Sequence, residues 1–327
     1  MRQDRWWLRA PVLVAPDKFK GTLTAAQVAA AIAAGIREGG RNAEELPIAD
    51  GGEGTADALV RSLGGDWIEV DATDPLGRPI RAQFALLADG RAVVEAAEAS
   101  GLTRVAQDER EPVSATSRGT GELIAAAVDA GAGEVLVAVG GTATTDGGAG
   151  ALEALAEAAV DPALTVICDV RTPLEHAARV FGPQKGADPR TVRHLARRLD
   201  SFAARAPRDP RGIPLTGAGG GLSGGLYAYR SARLVPGAPF VLDLLAFDRR
   251  MRAASFVVTG EGRLDEQTLE GKAAGEVAVR CRQAGVACHA VVGEDAIDDF
   301  SIRVLALDGL LEAGNSEALR DAGRALA

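Results

Sequence analysis

Lysine is scarce in this chain: of 36 basic residues only Lys18, Lys20, Lys185 and Lys272 are lysines, and the other 32 are arginines. Cysteine is scarce too. Cys168, Cys281 and Cys288 fit no Cys-x-x-Cys metal spacing, and their odd number suits a reducing compartment. A cytoplasmic location is therefore expected, with all three thiols as core fillers. His176, His194 and His289 are too few and too scattered for a zinc cluster. Positive charge is not in excess, since the formal net charge is −9, which argues against nucleic acid as a partner. No apolar run is long enough to span a membrane. The opening MRQDRWWLRA has no apolar core followed by a cleavage site, so no secretory signal is expected, and Trp6 and Trp7 read as a loosely packed start.

What is present is 327 residues, 47% apolar and 25% charged, an ordinary globular composition with room for two domains. Val12 to Ala15 reads as a short buried strand ending in Pro16-Asp17-Lys18-Phe19-Lys20-Gly21. Thr24-Ala25-Ala26-Gln27 is a capping box, and the helix behind it carries Val28, Ile32 and Ile36 on one face. A second strand, Glu45 to Ala49, ends in Asp50-Gly51-Gly52-Glu53-Gly54-Thr55 before another helix. Strand, charged Gly-rich loop and helix, twice over, predict a doubly wound parallel sheet with ligands at the carboxyl ends of its strands.

Between residues 67 and 95 the pattern changes to shorter strands joined by DPLGRP and by ADGR, the second a hairpin signal, so a mixed sheet is expected there. Val135 to Val139 and Leu164 to Cys168 read as buried strands, and residues 205–225 read as loop throughout. Ser255 to Thr259, Ala287 to Val292 and Val304 to Leu307 restore the strand–helix alternation of the first sixty residues. The expected fold is α/β, with two interleaved α/β/α domains. Residues 1–66 plus 248–327 would form a doubly wound, mainly parallel sheet, and residues 67–247 an inserted mixed sheet, with the active site in the cleft between them.

Several motifs are excluded by their context. Gly219-Gly220-Gly221-Leu222-Ser223-Gly224 has the Gly-x-Gly-x-x-Gly spacing but no strand before it, so it is not a dinucleotide fingerprint. Glu266 to Ala273 approaches a Walker A loop but lacks its first glycine and its metal-binding hydroxyl. Protein-kinase signatures are absent. The turn Gly140-Gly141-Thr142-Ala143-Thr144-Thr145, between a strand and a helix, suits an anion held by backbone N–H groups and a helix N-terminus. A tight turn with threonine caps is the open alternative.

Acids stand at strand ends: Asp17, Asp50, Glu53, Asp169, Glu261 and Asp265. For Asp17, Asp50 and Asp169, just after apolar strands, function is favoured, whereas Glu53, Glu261 and Glu266 serve equally well as caps or solvated loop charges. The rare lysines lie in DKFKG, PQKGA and EGKAA, beside glycines, where a compact ammonium suits a phosphate. Acids for Mg²⁺ or a proton, with Gly loops and cations for phosphates, together describe phosphoryl transfer.

These stretches resemble the bacterial glycerate kinases. PDKFKGTL, ADGGEGT, TDPLGR, EAAEASGL, TSRGTGELI, GGTATTDGG, CDV, VFGPQKGA, GAGGGLSGGL and TGEGRLDEQTLEGKA follow in order over about residues 11 to 293. The resemblance implies phosphorylation of D-glycerate with Mg²⁺ and ATP, typically to 2-phosphoglycerate, on a fold of two α/β domains. It implies Asp169 as the group that orients or deprotonates the 2-hydroxyl, with Lys18, Lys20, Lys185, Lys272 and Arg263 neutralising phosphates. Asp50 and Asp265 are the metal candidates. Ser117, Arg118 and Thr120 are candidates for the glycerate carboxylate, and Gly140, Gly141, Thr142 and Thr144 for phosphate. Asp17, Gly219, Gly220 and Glu261 complete the expected binding set. The partners expected are small molecules, glycerate and ATP, and a homodimer is left open.

The chain also departs from the family pattern. Only about ten residues, Glu157 to Val166, join the GGTAT helix to the CDV strand, where relatives carry a longer segment. The loop from Asp169 to Val180 is trimmed, Thr145 replaces a usual Asn, and Ala274 a usual Pro. Two alternatives follow: a kinase for another small hydroxy acid such as tartronate or an aldonate, and a non-catalytic metabolite-binding relative.

Overall fold

The computed structural model describes residues 10–19 and 21–327, without the side chains of Gln267, Glu270 and Asp299. Lys20, Trp6 and Trp7 therefore lie outside the described residues. Eleven strands are present among those described: β1 Val12–Pro16, β2 Ala43–Glu45, β3 Gly65–Thr73, β4 Pro79–Leu87, β5 Arg91–Glu95, β6 Glu134–Ala138, β7 Ala163–Cys168, β8 Arg233–Pro236, β9 Val257–Gly260, β10 Cys288–Val292 and β11 Gly309–Glu312. They form two sheets in two compact units. One unit joins the chain up to Asp50 to Ala238–Ala327, and the other is Gly51–Gly237.

In the first unit the order is β11-β10-β9-β1-β2, with every pair parallel. Apolar β1, buried along its whole length, sits inside the sheet as a parallel strand must. The chain winds outward from β1 to β2 on one side and from β9 to β11 on the other. The winding therefore reverses between β1 and β9, the position where open α/β sheets bind ligands. The helix Ala25–Glu38 begins at the Thr24–Gln27 capping box and buries Val28, Ile32 and Ile36, as its period requires.

The second unit carries a mixed sheet, β3-β4-β5-β6-β7-β8, antiparallel from β3 to β5 and parallel from there on. Its core includes Phe84, Leu123, Ile124, Val135, Val137, Leu155 and Val166, all at 0–1% exposure. Each such side chain contributes on the order of 1.5–3 kcal/mol when fully buried. The register pairs Glu95 with Ala138 and Ala138 with Ile167, so β5, β6 and β7 end side by side. The loops that follow them start from one edge of the sheet.

Three expectations change. The strand read at Val304–Leu307 is the end of a helix, Asp299–Leu305, and the last strand is Gly309–Glu312. The Asp298 carboxylate accepts from Phe300 N at 2.8 Å and Ser301 N at 2.9 Å and starts that helix, which a short apolar run could not reveal. Residues 205–225 are not loop throughout, because a helix begins at Leu222 and runs to Arg230. The second strand starts two residues earlier than read and is shorter, Ala43–Glu45, although Leu46 N and Ile48 N still donate to Val14 and Pro16 carbonyls. All three cysteines are free and buried, as expected. No helix among the described residues is long and apolar enough to cross a membrane.

Candidate active site

In the first unit, carboxylates crowd around the winding reversal. Asp17 follows β1 directly, and its N–H donates to Gly260 O of β9 at 2.8 Å. Its carboxylate accepts from Lys18 N at 2.7 Å. Burial, then Asp50, with a smaller push from Glu261, hold the Asp17 carboxyl well above its ordinary value against the pull of Lys18. Glu261 follows β9 and is 6% exposed. Burial pushes it up to about 7; the Thr268 hydroxyl, which donates at 2.7 Å, and Lys272 oppose this, while Asp265 and Asp50 add to it. Lys272 Nζ lies 3.8 Å from Glu261 Oε2 and 3.7 Å from Asp265 Oδ1. Arg263 is exposed and shared between Asp265 at 3.7 Å and Glu294 at 3.2 Å. Among the described residues no three acids, histidines or cysteines converge closely enough to hold a metal ion.

The second unit holds a cation where the first gathers anions. Lys185 is 3% exposed, and its ammonium donates to Thr144 O at 2.6 Å and Thr142 Oγ1 at 3.3 Å, both uncharged. Burial lowers its pKa to about 8, against the pull of Asp146 and Asp169. The loop that supplies Thr142 and Thr144 leaves β6 and is pinned to the chain after β5: Leu102 N donates to Gly141 O and Ala143 N to Ser100 O, both at 2.9 Å. Asp169 follows β7, one strand over.

Packing explains why glycine stands at the start of this loop. A Cβ on Gly140 would lie 2.6 Å from Gly52 Cα and 2.9 Å from Asp169 Oδ2, so any side chain here would displace that carboxylate. Gly220 lies at φ +67°, and a Cβ there would overlap the Thr144 carbonyl oxygen that receives Lys185. Gly219 adjoins it, against Val139. The hydroxyls of Thr144 and Thr145 are buried and find no hydrogen-bond partner among the described residues. That is an unusual state for buried polar groups, and it suits a bound polar molecule.

The remaining expected residues take other places. Ser117 is fully buried, with its N–H and hydroxyl donated to Asp146 and its oxygen accepting from Ala151 N. Arg118 is paired with Glu122 and Glu157. Thr120 is buried against the Ser100 hydroxyl at 2.8 Å. All three tie the helix Arg118–Asp129 to its neighbours. The sequence reading did not single out Asp146, although an acid two residues before a glycine-started helix is a capping signal. Nor did it notice Thr268, three residues beyond Asp265.

The model of the Glycerate kinase family matches residues 12–163 and 156–313. A glycerate kinase of Halalkalibacterium halodurans is 38% identical over 369 residues, covering 97% of each chain. A glycerate 2-kinase of Escherichia coli K12 is 36% identical over 301 residues, covering 80% of this chain and 79% of its own. The crystal structure of a protein assigned as glycerate kinase 2 from Salmonella typhimurium LT2 superposes with a TM-score of 0.83 at 33% identity over 97% of both chains. The chain belongs to the glycerate kinase family, and it is an enzyme.

Proposed function

We propose that the protein transfers the γ-phosphoryl group of ATP to the 2-hydroxyl of D-glycerate, giving 2-phospho-D-glycerate and ADP. One arrangement carries the proposal: the Asp169 carboxylate packed on Gly140, beside the loop that holds the buried Lys185 ammonium. A carboxylate at a strand end can orient a hydroxyl and take its proton as the oxygen attacks phosphorus. The new O–P bond forms as the bond to the β-phosphate oxygen breaks, and ADP leaves. Charge neutralisation and positioning contribute most of the rate in such a reaction. A fixed ammonium at Lys185, with Thr142, Thr144 and the backbone of Gly140 and Gly141, supplies both. The Thr144 hydroxyl, without a partner among the described residues, is consistent with a ligand oxygen. Ser117, Arg118, Thr120, Gly219 and Gly220 are assigned to holding these loops.

The acids of the first unit form no three-residue cage, but Mg²⁺ needs only one or two carboxylates beside phosphate and water oxygens, and the repulsion among these acids is what a dication would relieve. Asp50 and Asp265 would hold it, and the bound ion would neutralise nucleotide phosphate charge. Lys18, Arg263 and Lys272 would orient the phosphates, with Asp17 and Glu261 placing Lys18 and Lys272. The two compact units are proposed as the enzyme's two domains, in the cytoplasm.

A second reading, a kinase for a different small hydroxy acid, has its own support. The family match breaks into two stretches that overlap at residues 156–163. There the helix Ala149–Glu157 reaches β7 through only Ala158–Pro162, with Ala159 at φ +54°. The alignment with the Halalkalibacterium enzyme spans 369 residues against a chain of 327, consistent with material that this chain lacks.

ADP release from Mg-ATP, with D-glycerate or with tartronate, tests both readings, and phosphorus NMR of the product identifies the acceptor oxygen. Asp169→Asn is expected to lower kcat by about 10²-fold or more with a smaller change in KM. Full turnover in that variant would remove Asp169 from the chemistry, and preference for tartronate would select the second reading.

A further inference from the structure

Asp146 is 3% exposed and has no role in the reaction as proposed above. Its Oδ2 accepts from Ser117 N at 2.9 Å, Ser117 Oγ at 2.8 Å and Gly150 N at 3.1 Å, and its Oδ1 from Gly148 N at 3.1 Å. Ser117 and Gly148 are the N-caps of the helices Arg118–Asp129 and Ala149–Glu157, and neither caps its own helix through a side chain. One buried carboxylate therefore serves two helix N-termini, where the dipoles favour negative charge. Capping alone would be met by a neutral Ser or Asn.

The charge has a second use. Asp146 follows directly on the stretch whose Thr142 and Thr144 bind the Lys185 ammonium. Asp146 is the first of the two acids that hold that ammonium charged against burial, and Asp169 is the second. From the neighbouring segment, Arg110 faces the same turn, donating to Gln184 O at 3.0 Å. We propose that Asp146 is a positioning residue for Lys185: it anchors the loop Gly140–Gly147 on two helix N-termini and supplies the buried negative charge that keeps the ammonium ionised. Its bearing on catalysis rests on the phosphoryl-transfer reading of Lys185, but its effect on Lys185 does not.

The chain's four lysines make the test direct. Carbon NMR of the lysine ε-methylenes against pH resolves few signals, and loss of one in Lys185→Met identifies it. In the wild type this signal is expected to titrate at about 8. Asp146→Asn should move the titration to lower pH by about half a unit or more, and the basic limb of kcat/KM by the same amount. Asp146→Ser, which keeps a capping oxygen without the charge, should do likewise. Ser117→Ala removes the hydroxyl's bonds to Asp146 and from Ala151 N but not the charge, and should lower stability while leaving the Lys185 titration in place. A folded Asp146→Asn or Asp146→Ser with the wild-type titration overturns the proposal. So does failure of both variants to fold, since capping would then account for the residue. The titration needs no substrate, so absence of glycerate turnover would count against the proposed function and leave this inference standing.

Discussion

The two units solve opposite electrostatic problems at the ends of their parallel strands. Around β1 and β9, carboxylates are pressed together, and burial and repulsion drive Asp17 and Glu261 toward their neutral forms. Around β6 and β7, one ammonium donates to neutral oxygens, and burial drives Lys185 toward its neutral form against the pull of Asp146 and Asp169. Neither arrangement favours the unliganded fold. Groups held in such environments are candidates for function, because each would be stabilised by a ligand of opposite charge. On the proposed function, a cation would relieve the first unit and an anion the second.

The largest effect that could break this contrast is expected at Lys185. Lys185→Met keeps the volume and removes the charge. Loss of a preorganised ammonium should lower kcat by about 10²–10³-fold. Stability should move the other way. The folded pKa of about 8 lies below the ordinary 10.5, which at about 1.4 kcal/mol per unit makes the buried ammonium destabilising by roughly 3 kcal/mol at neutral pH. The Thr144 carbonyl then loses its donor, which offsets on the order of 1 kcal/mol. A net gain of about 1–2 kcal/mol in urea unfolding, with activity lost, fits a functional cation. A loss of stability would make Lys185 a structural tie.

A middle-sized effect sharpens the contrast through pH. Glu261 has a folded value of about 7 against an ordinary 4.5, so its contribution is fully present below pH 4.5 and is lost as pH rises through 7. Lys185 has the reverse sign: its depressed value makes the second unit gain stability as pH rises from about 8 toward 10.5. Hydrogen exchange should show β1 and β9 losing protection between pH 5 and 8 (about 1–3 kcal/mol) and β6 and β7 gaining it above about 8. Glu261→Gln should flatten only the first trend. Parallel trends in both units would refute the contrast.

Much of the architecture was legible because buried parallel strands are short apolar runs, as at Val12–Pro16 and Glu134–Ala138, and turns carry Gly and Asp. Val304 misled because four apolar-rich residues fit helix and strand alike, and only the Asp298 cap decides. At the candidate site, the rarity of lysine drew attention to Lys185. Its burial and its neutral partners could not be read, since they depend on residues 41 and 43 positions away meeting in the fold. Gly140 read as a phosphate-loop glycine, whereas its close approach to Gly52 and Asp169 is sufficient reason for it. Asp146 was overlooked because its partners, Ser117 and Gly150, lie on different helices.

The smallest effect expected concerns the hydroxyl of Thr144. Valine keeps its shape, and the oxygen it removes is buried without a partner among the described residues. Relieving an unsatisfied buried hydroxyl should stabilise the unliganded enzyme by about 1 kcal/mol. If a substrate or phosphate oxygen completes that hydroxyl's bonding, Thr144→Val should also raise KM several-fold at nearly unchanged kcat, because a ground-state contact is lost. Calorimetry of the free protein and initial-rate kinetics read the two terms separately. Stabilisation with an unchanged KM would mean that the loop only encloses Lys185, and that the anion meets the ammonium and the glycine backbone without this hydroxyl.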